Sequence, residues 1–251
     1  MRLSILVSTF KRPNLLKWGL HSISLQKFQG EFEVIVLNDG LLDETEEICQ
    51  SFSNCLDIKY LFTGHRNLKP ETTAWRIPGF AINIGAKMAQ GDAIIISCAE
   101  MYYIHNDSLE KLVQPIEEDK TRLGICHGKD DNSSILAYLN QHSKFPTHLL
   151  GKCKPLNCKL PFAMALNKAR FIEIGGYDED FTGVAFDDND LVDRFIDSGS
   201  TYFTADTTVV HLYHPRHVSR PTPPWYFNQK LYQQRRGKII RNEGREWGIQ
   251  P

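Results

Sequence analysis

The chain lacks any long hydrophobic run, and its net charge is close to zero. Its longest apolar stretches, such as residues 94–96, are far shorter than the roughly 18 residues that cross a membrane, so no membrane-spanning helix is expected. The apolar part of the N-terminus is too short for a signal peptide, and we therefore expect a cytoplasmic protein. With 29 lysines and arginines against 30 acids, the formal charge of −1 argues against a general nucleic-acid binder.

Internal repeats, low-complexity tracts and a paired set of zinc-type cysteine motifs are also missing. The six cysteines are expected to be reduced thiols, because the sequence shows no export signal and the default is then a cytosolic compartment. Hydrophobic residues make up 41% of the chain and charged residues 24%, which excludes a disordered or fibrous protein. A length of 251 residues allows one large domain or two small ones.

The first hundred residues alternate between buried-strand and helix patterns. This order predicts a parallel sheet with right-handed crossovers, in which ligands bind at the carboxyl ends of the strands. Those ends fall at residues 8–12, 38–40 and 97–100. The predicted strands are residues 3–7, 32–37, 58–62 and 93–97, and the predicted helices begin at Pro13 and cover residues 45–52 and 80–89.

The second half of the chain has a weaker pattern. Residues 127–158 are polar with scattered apolar positions and are predicted to be long loops. The remaining predicted elements are strands at 160–166, 202–204 and 207–211 and helices at 168–174, 189–196 and 225–241.

Charge is unevenly distributed along this second half. Residues 173–197 contain nine acids and one base, whereas residues 215–251 contain eight bases and two acids. The basic tail could close over phosphates, pack on the acidic segment or contact an anionic membrane surface. Solvated helix faces also produce such runs.

Two acidic positions follow predicted strands. Asp39 could accept hydrogen bonds from a nucleobase or a ribose, although a simple Asp-Gly turn is the more common explanation of this pair on its own. Cys98 and Glu100 follow the fourth strand, and alternation along an extended chain points both to the same side. Glu100 offers the hard oxygen ligands that Mg²⁺ and Mn²⁺ prefer, whereas Cys98 does not.

Two further clusters lie in the second half. Three carboxylates within residues 187–190 repel one another, which raises at least one pKa and suits a general base. Capping of a helix explains one or two of these acids but not all three. The triplet His211, His214 and His217 offers imidazole ligands, or is a set of exposed loop histidines.

Taken in order, these segments resemble the family 2 glycosyltransferases with the GT-A fold. Residues 4–13, 34–40 and the pattern from Arg76 to Asp92 resemble the nucleotide-binding half. Residues 171–183 and 186–194 resemble the acceptor half shared with galactosyltransferases. The resemblance implies an α/β fold with a mainly parallel, Rossmann-like central sheet flanked by helices, a smaller mixed acceptor-side region and a C-terminal helix.

The resemblance also implies one GT-A domain over residues 1–251. Its nucleotide-sugar-binding half would be 1–100, its acceptor-binding half 101–217 and its basic helical tail 218–251. Thr9, Arg12 and Asp39 would hold the base and ribose of the donor, and Arg76 and Asn83 would steady the donor side.

The resemblance also implies which residues form the reacting centre, because they stand at the positions of the family's motifs. Cys98-x-Glu100 stands where the family has Asp-x-Asp, so Cys98 would lie against the donor and Glu100 would bind Mn²⁺ or Mg²⁺ together with His211. Asp188 matches the catalytic base, and Asp187 would bind acceptor hydroxyls. A thiol in place of the first acid is expected to weaken the metal site.

The activity implied is transfer of a hexose or N-acetylhexosamine from a nucleotide sugar, with UDP favoured, to a hydroxyl of a glycan or other acceptor, with inversion. A non-catalytic nucleotide-sugar or glycan-binding relative is the alternative, and Cys98 is its main support. A nucleotidyltransferase would carry a glycine-rich loop after the first strand, where residues 8–13 contain no glycine. Nucleic acid is not expected as a partner, and weak peripheral membrane contact would come through the basic tail.

Overall fold

The computed structural model describes residues 1–64, 77–215 and 222–250. Nine strands and eight helices lie in these ranges, with an additional 3-10 helix at Thr147–Lys152. The strands are β1 Leu3–Thr9, β2 Phe32–Asn38, β3 Ile58–Phe62, β4 Ala93–Cys98, β5 Met101–Tyr103, β6 Arg122–Asp130, β7 Lys154–Leu156, β8 Ala163–Asn167 and β9 Thr201–His211. The helices are α1 Pro13–Ser24, α2 Thr45–Ser51, α3 Pro78–Met88, α4 Ser108–Glu118, α5 Ser134–His142, α6 Lys168–Glu173, α7 Asp187–Asp197 and α8 Pro223–Arg235.

The strands form one continuous sheet in the order β3-β2-β1-β4-β8-β6-β9-β5, and β7 pairs with the edge of β6. Strands β1 to β4 are mutually parallel, which confirms the prediction for the first half. Strand β8 then runs antiparallel to β4 and to β6. The second half of the chain therefore extends the same sheet with mixed strand directions.

Helices cover both faces of the sheet. The side chains of Leu3, Ile5 and Val7 on β1 pack in one core cluster with α1 and α4, whereas Leu6 packs in another with α3 and α7. This alternation is the period of two expected for a strand buried on both sides. Proline starts α1, α3 and α8, where its missing N–H costs no helical hydrogen bond.

The prediction of long loops at residues 127–158 is wrong. The segment contains the end of β6, helix α5, the 3-10 helix and β7. Helix α5 buries only Ile135 and Leu139, and β7 is an edge strand of three residues, so both give weak periodic signals.

Other elements also differ from the predicted ones. Helix α4, to which the sequence analysis assigned nothing, buries an apolar face despite Pro115 in its interior. The two strands predicted at 202–204 and 207–211 are the single strand β9, in which an irregularity around the exposed Asp206 shifts the register with β6 without ending the strand. Helix α8 ends at Arg235 rather than at residue 241, and Gly237 follows with a φ of 77° that a helix cannot continue.

The basic tail packs on the acidic segment, one of the arrangements considered from the sequence. Arg241 is buried and its Nη2 lies 2.5 Å from Asp190 Oδ1. Arg235 contacts Asp178, and its Nη2 lies 2.5 Å from Asp180 Oδ2. No helix in the described ranges is both long enough and apolar enough to span a membrane.

Replacing Arg241 by alanine should destabilise the protein. Asp190 and Asp178 would lose a buried cation, and breaking a buried pair in this way costs about 3 kcal/mol. Arg194, which also contacts Asp190, would compensate part of that loss. The exposed Lys230 on α8 gives the matched control Lys230→Ala. Equal thermal midpoints for the two variants would contradict a structural role of Arg241.

Candidate active site

A cavity of about 1070 Å³ opens at the carboxyl ends of β1, β2 and β4. This is the edge at which the sequence analysis expects ligands to bind. Residues from both halves of the chain line it, because β8 and β9 extend the sheet past β4. Its lining includes six of the predicted site residues: Thr9, Arg12, Asp39, Cys98, Glu100 and Asp188.

The nucleotide side of the cavity is built on the ends of β1 and β2. Asp39 is buried, its N–H donates to the Thr9 carbonyl at 3.0 Å, and its Oδ1 accepts from the Thr63 hydroxyl at 3.2 Å. The ring of Phe10 lies so near Gly40 that a Cβ there would sit 3.0 Å from it. The Asp39 carboxylate and the Phe10 ring thus both line this end of the cavity.

Glu100, His211 and His214 form a compact cluster at the wall of the cavity, which Glu100 and His214 line directly. His211 Nε2 lies 3.6 Å and His214 Nε2 lies 3.5 Å from Glu100 Oε1. One potential ligand atom from each residue falls within 4.8 Å of the others, and two of the three residues are buried. A carboxylate with two imidazoles is a donor set that fits a divalent cation such as Mn²⁺.

Neighbouring groups orient His211 and keep Glu100 ionised. His211 Nδ1 lies 3.0 Å from Asp130 Oδ1, a contact that fixes the ring and points Nε2 at Glu100. Burial raises the pKa of Glu100, but hydrogen bonds from the two histidines and the charge of Arg12 outweigh it and hold the pKa well below its usual range. Glu100 is therefore a carboxylate, and Arg12 contacts it directly.

Asp188 has the opposite environment across the same cavity. It lies in the first turn of α7, half-buried beside the buried Asp187. Burial and the charge of Asp187 raise the pKa of Asp188 to about 8, although a hydrogen bond from the Tyr177 hydroxyl lowers it. A carboxyl group with a pKa near neutrality can accept a proton from a substrate hydroxyl.

Three predicted site residues within the described ranges do not line the cavity. Asn83 is fully buried behind it, where its side-chain amide binds the backbone of Tyr177. Asp187 and His211 act on the cavity through their neighbours Asp188 and Glu100. Arg76 lies outside the described residues, as does His217 of the histidine triplet.

The lining residues that the sequence did not assign to the site include Phe10, Tyr177 and His214. The spacing of His214 from His211 was visible as part of the triplet, and it was the signal that could have placed a second imidazole beside Glu100. Tyr177 carries no comparable signal, because its contact with Asp188 depends on how the turn after α6 folds.

Two family models match the chain. The model described as "Glycosyl transferase family 2" matches residues 4–173, and the one described as "N-terminal domain of galactosyltransferase" matches residues 159–218. Validoxylamine A glucosyltransferase of Streptomyces hygroscopicus subsp. limoneus is 27% identical over 220 residues, which are 75% of this chain and 46% of that protein. The chain spans half or less of the length of the curated relatives it matches.

Solved structures share the fold at low sequence identity. Staphylococcus aureus TarS residues 1–349 in complex with UDP-GlcNAc aligns with a TM-score of 0.61 at 18% identity, covering 92% of this chain and 65% of that one. The mannosyltransferase PcManGT from Pyrobaculum calidifontis in complex with GDP-Man and Mn²⁺ also gives 0.61, at 14% identity over 94% and 70% of the two chains. The fold is the one expected from the sequence.

Removing one imidazole should weaken binding of a divalent cation. We expect His214→Ala to raise the dissociation constant for Mn²⁺ roughly tenfold or more, because one of three ligands is lost. Titration of Mn²⁺ followed by electron paramagnetic resonance of the free ion measures this without substrate. The exposed His127 provides the control His127→Ala. Unchanged binding in His214→Ala would place the cation elsewhere.

Proposed function

The chain belongs to glycosyltransferase family 2, and from that membership we propose that it is an inverting glycosyltransferase. It would move a hexose or N-acetylhexosamine from a nucleotide sugar to a hydroxyl of a glycan or other acceptor. The observation that carries this proposal is the pairing of a Glu-His-His cluster with Asp188, a carboxyl group of raised pKa, in one cavity.

The donor is proposed to be a UDP-sugar. Thr9, Arg12 and Asp39 would hold the base and ribose, with Phe10 alongside and Cys98 against the donor. The TarS complex with UDP-GlcNAc supports uridine, and the PcManGT complex with GDP-Man shows that a similar fold accepts guanosine. For Arg76, the proposed place on the donor side rests on the sequence resemblance alone.

The cofactor is proposed to be Mn²⁺ or Mg²⁺, held by Glu100, His211 and His214. When bound, the ion would neutralise the negative charge that develops on the departing diphosphate. The two imidazoles favour Mn²⁺ over Mg²⁺, because Mg²⁺ prefers oxygen ligands. Asp130 would keep His211 in the ligating orientation.

Asp188 is proposed as the general base. It would take the proton of the acceptor hydroxyl as that oxygen bonds to the anomeric carbon and the bond to the diphosphate oxygen breaks. Attack from the face opposite the leaving group inverts the anomeric configuration. Asp187 would orient acceptor hydroxyls, and its charge already helps to hold the pKa of Asp188 high enough to receive a proton.

A non-catalytic nucleotide-sugar-binding relative remains the second candidate, and Cys98 is the observation that favours it. Burial and the charge of Glu100 raise the pKa of the Cys98 thiol, so it stays protonated and cannot replace the carboxylate of the family pattern. Such a protein would bind the donor but would not need Asp188.

Donor binding can be tested by thermal stability. We expect UDP with Mn²⁺ to raise the thermal midpoint more than either alone, because a ligand that binds only the folded state stabilises it. GDP and CMP under the same conditions serve as comparisons for the base. A larger rise with GDP would reassign the donor, and no rise with any nucleotide would contradict the nucleotide site.

Asp188→Asn separates the two candidate functions. Transfer should fall by about 100-fold or more while UDP-sugar binding persists, because asparagine cannot accept the proton. The folded protein holds a proton on Asp188 up to about pH 8, whereas the usual pKa is 3.8, so ionisation costs stability as pH rises between these values. The variant should therefore gain thermal stability over the parent protein, increasingly from about pH 5 to about pH 8. Undiminished transfer would refute Asp188 as the base.

A further inference from the structure

The backbone of Tyr177 is held by hydrogen bonds with two asparagine side chains. Its N–H donates to Asn83 Oδ1 at 2.8 Å, and its carbonyl accepts from Asn83 Nδ2 at 2.9 Å and from Asn242 Nδ2 at 2.7 Å. Asn83 is fully buried, and Asn242 comes from the C-terminal tail. The backbone of Tyr177 is thus fixed by two side-chain amides from distant parts of the chain.

The ring of Tyr177 is fixed as firmly as its backbone. A Cβ added to Gly79, near the start of α3, would lie 2.3 Å from ring atoms of Tyr177, so the absence of a side chain there lets the ring pack against the helix. Phe171 contacts the ring from α6, with centroids 6.3 Å apart. The hydroxyl is the polar atom of this side chain, and it donates to Asp188 Oδ1 at 2.9 Å.

Among the described residues, two further ionisable groups act on Asp188. Asp187 adjoins it on the same helix, and the Cys98 thiol faces it from the end of β4. Burial raises the pKa of Tyr177 well above its ordinary value, so its hydroxyl keeps its proton and stays a donor wherever Asp188 titrates. The bond therefore strengthens when Asp188 becomes a carboxylate.

We infer that Tyr177 is a positioning residue that holds Asp188 in the orientation in which its other oxygen can receive the acceptor proton. The inference rests on the proposed function of Asp188 and adds a residue to it. Because Oδ1 is engaged by a rigidly held hydroxyl, Oδ2 is the atom left to face the acceptor. Asn83, predicted as a donor-site residue, would contribute to catalysis through Tyr177 rather than through the donor.

The substitution Tyr177→Phe removes the hydroxyl and keeps the ring. A donor to the ionised form of Asp188 is then lost, so Asp188 should bind its proton more tightly and titrate about one pH unit higher. Carbon-13 NMR of protein labelled at the aspartate carboxyl carbons measures this directly, and the resonance missing in Asp188→Asn identifies the signal. With UDP-sugar as donor, kcat should fall about tenfold near pH 7, while the donor KM and the UDP-induced rise in thermal midpoint stay unchanged.

Tyr103→Phe is the matched control. Tyr103 is equally buried, and its hydroxyl donates to Ser97 Oγ at 3.1 Å rather than to Asp188. The variant Tyr103→Phe should leave the pKa of Asp188 unchanged, even if it lowers the thermal midpoint.

The outcomes separate this inference from the proposal on which it rests. If Asp188→Asn abolishes transfer but Tyr177→Phe titrates and turns over like the parent protein, the positioning role is wrong and the base assignment stands. Were Asp188→Asn to keep full transfer, the base assignment itself would fail. A loss of kcat in Tyr177→Phe without any change in the Asp188 titration would show a merely structural role and overturn the inference.

Discussion

The structure around Asp188 depends on ion pairs between buried acids of residues 173–197 and arginines of α7 and the tail. Two of these acids, Asp178 and Asp190, are almost fully buried, and unpaired charges at such depth cost several kcal/mol each. Arg194 on α7 and Arg241 in the tail supply the cations. The tail is therefore part of the structure that carries Asp188, although it lies more than thirty residues further along the chain.

The pKa values of two carboxyl groups in one cavity are shifted in opposite directions. Glu100 is surrounded by His211, His214 and Arg12, which stabilise its charge. Asp188 stands beside another carboxyl group, which destabilises its charge, and Tyr177 offsets only part of that effect. Because the proposed chemistry needs one group to bind a cation and another to take up a proton, this contrast is the electrostatic basis of the proposed function.

The sequence predicted the parts of the fold that depend on local patterns. Mainly apolar runs predict the four parallel strands, and the ends of β2 and β4 point to Asp39 and Glu100, whereas Thr9 follows from the resemblance to the family. Helix α5 escaped prediction because only two of its side chains are buried. The contact between Tyr177 and Asp188 could not be predicted, because it depends on Asn83 and Asn242, residues far apart in the chain that meet only after folding.

The thiol at position 98 changes the charge around the proposed cation site and therefore which other ligands that site needs. A carboxylate there would add a second negative charge close to Glu100, whereas the protonated Cys98 adds none. Two imidazoles then complete the donor set, and neutral nitrogen ligands suit Mn²⁺ better than Mg²⁺. With less negative charge around it, a cation bound at the proposed site would keep more of its own charge for the diphosphate of the proposed donor. The departure from the family pattern is thus compatible with catalysis, provided that His214 takes its place in the ligand set.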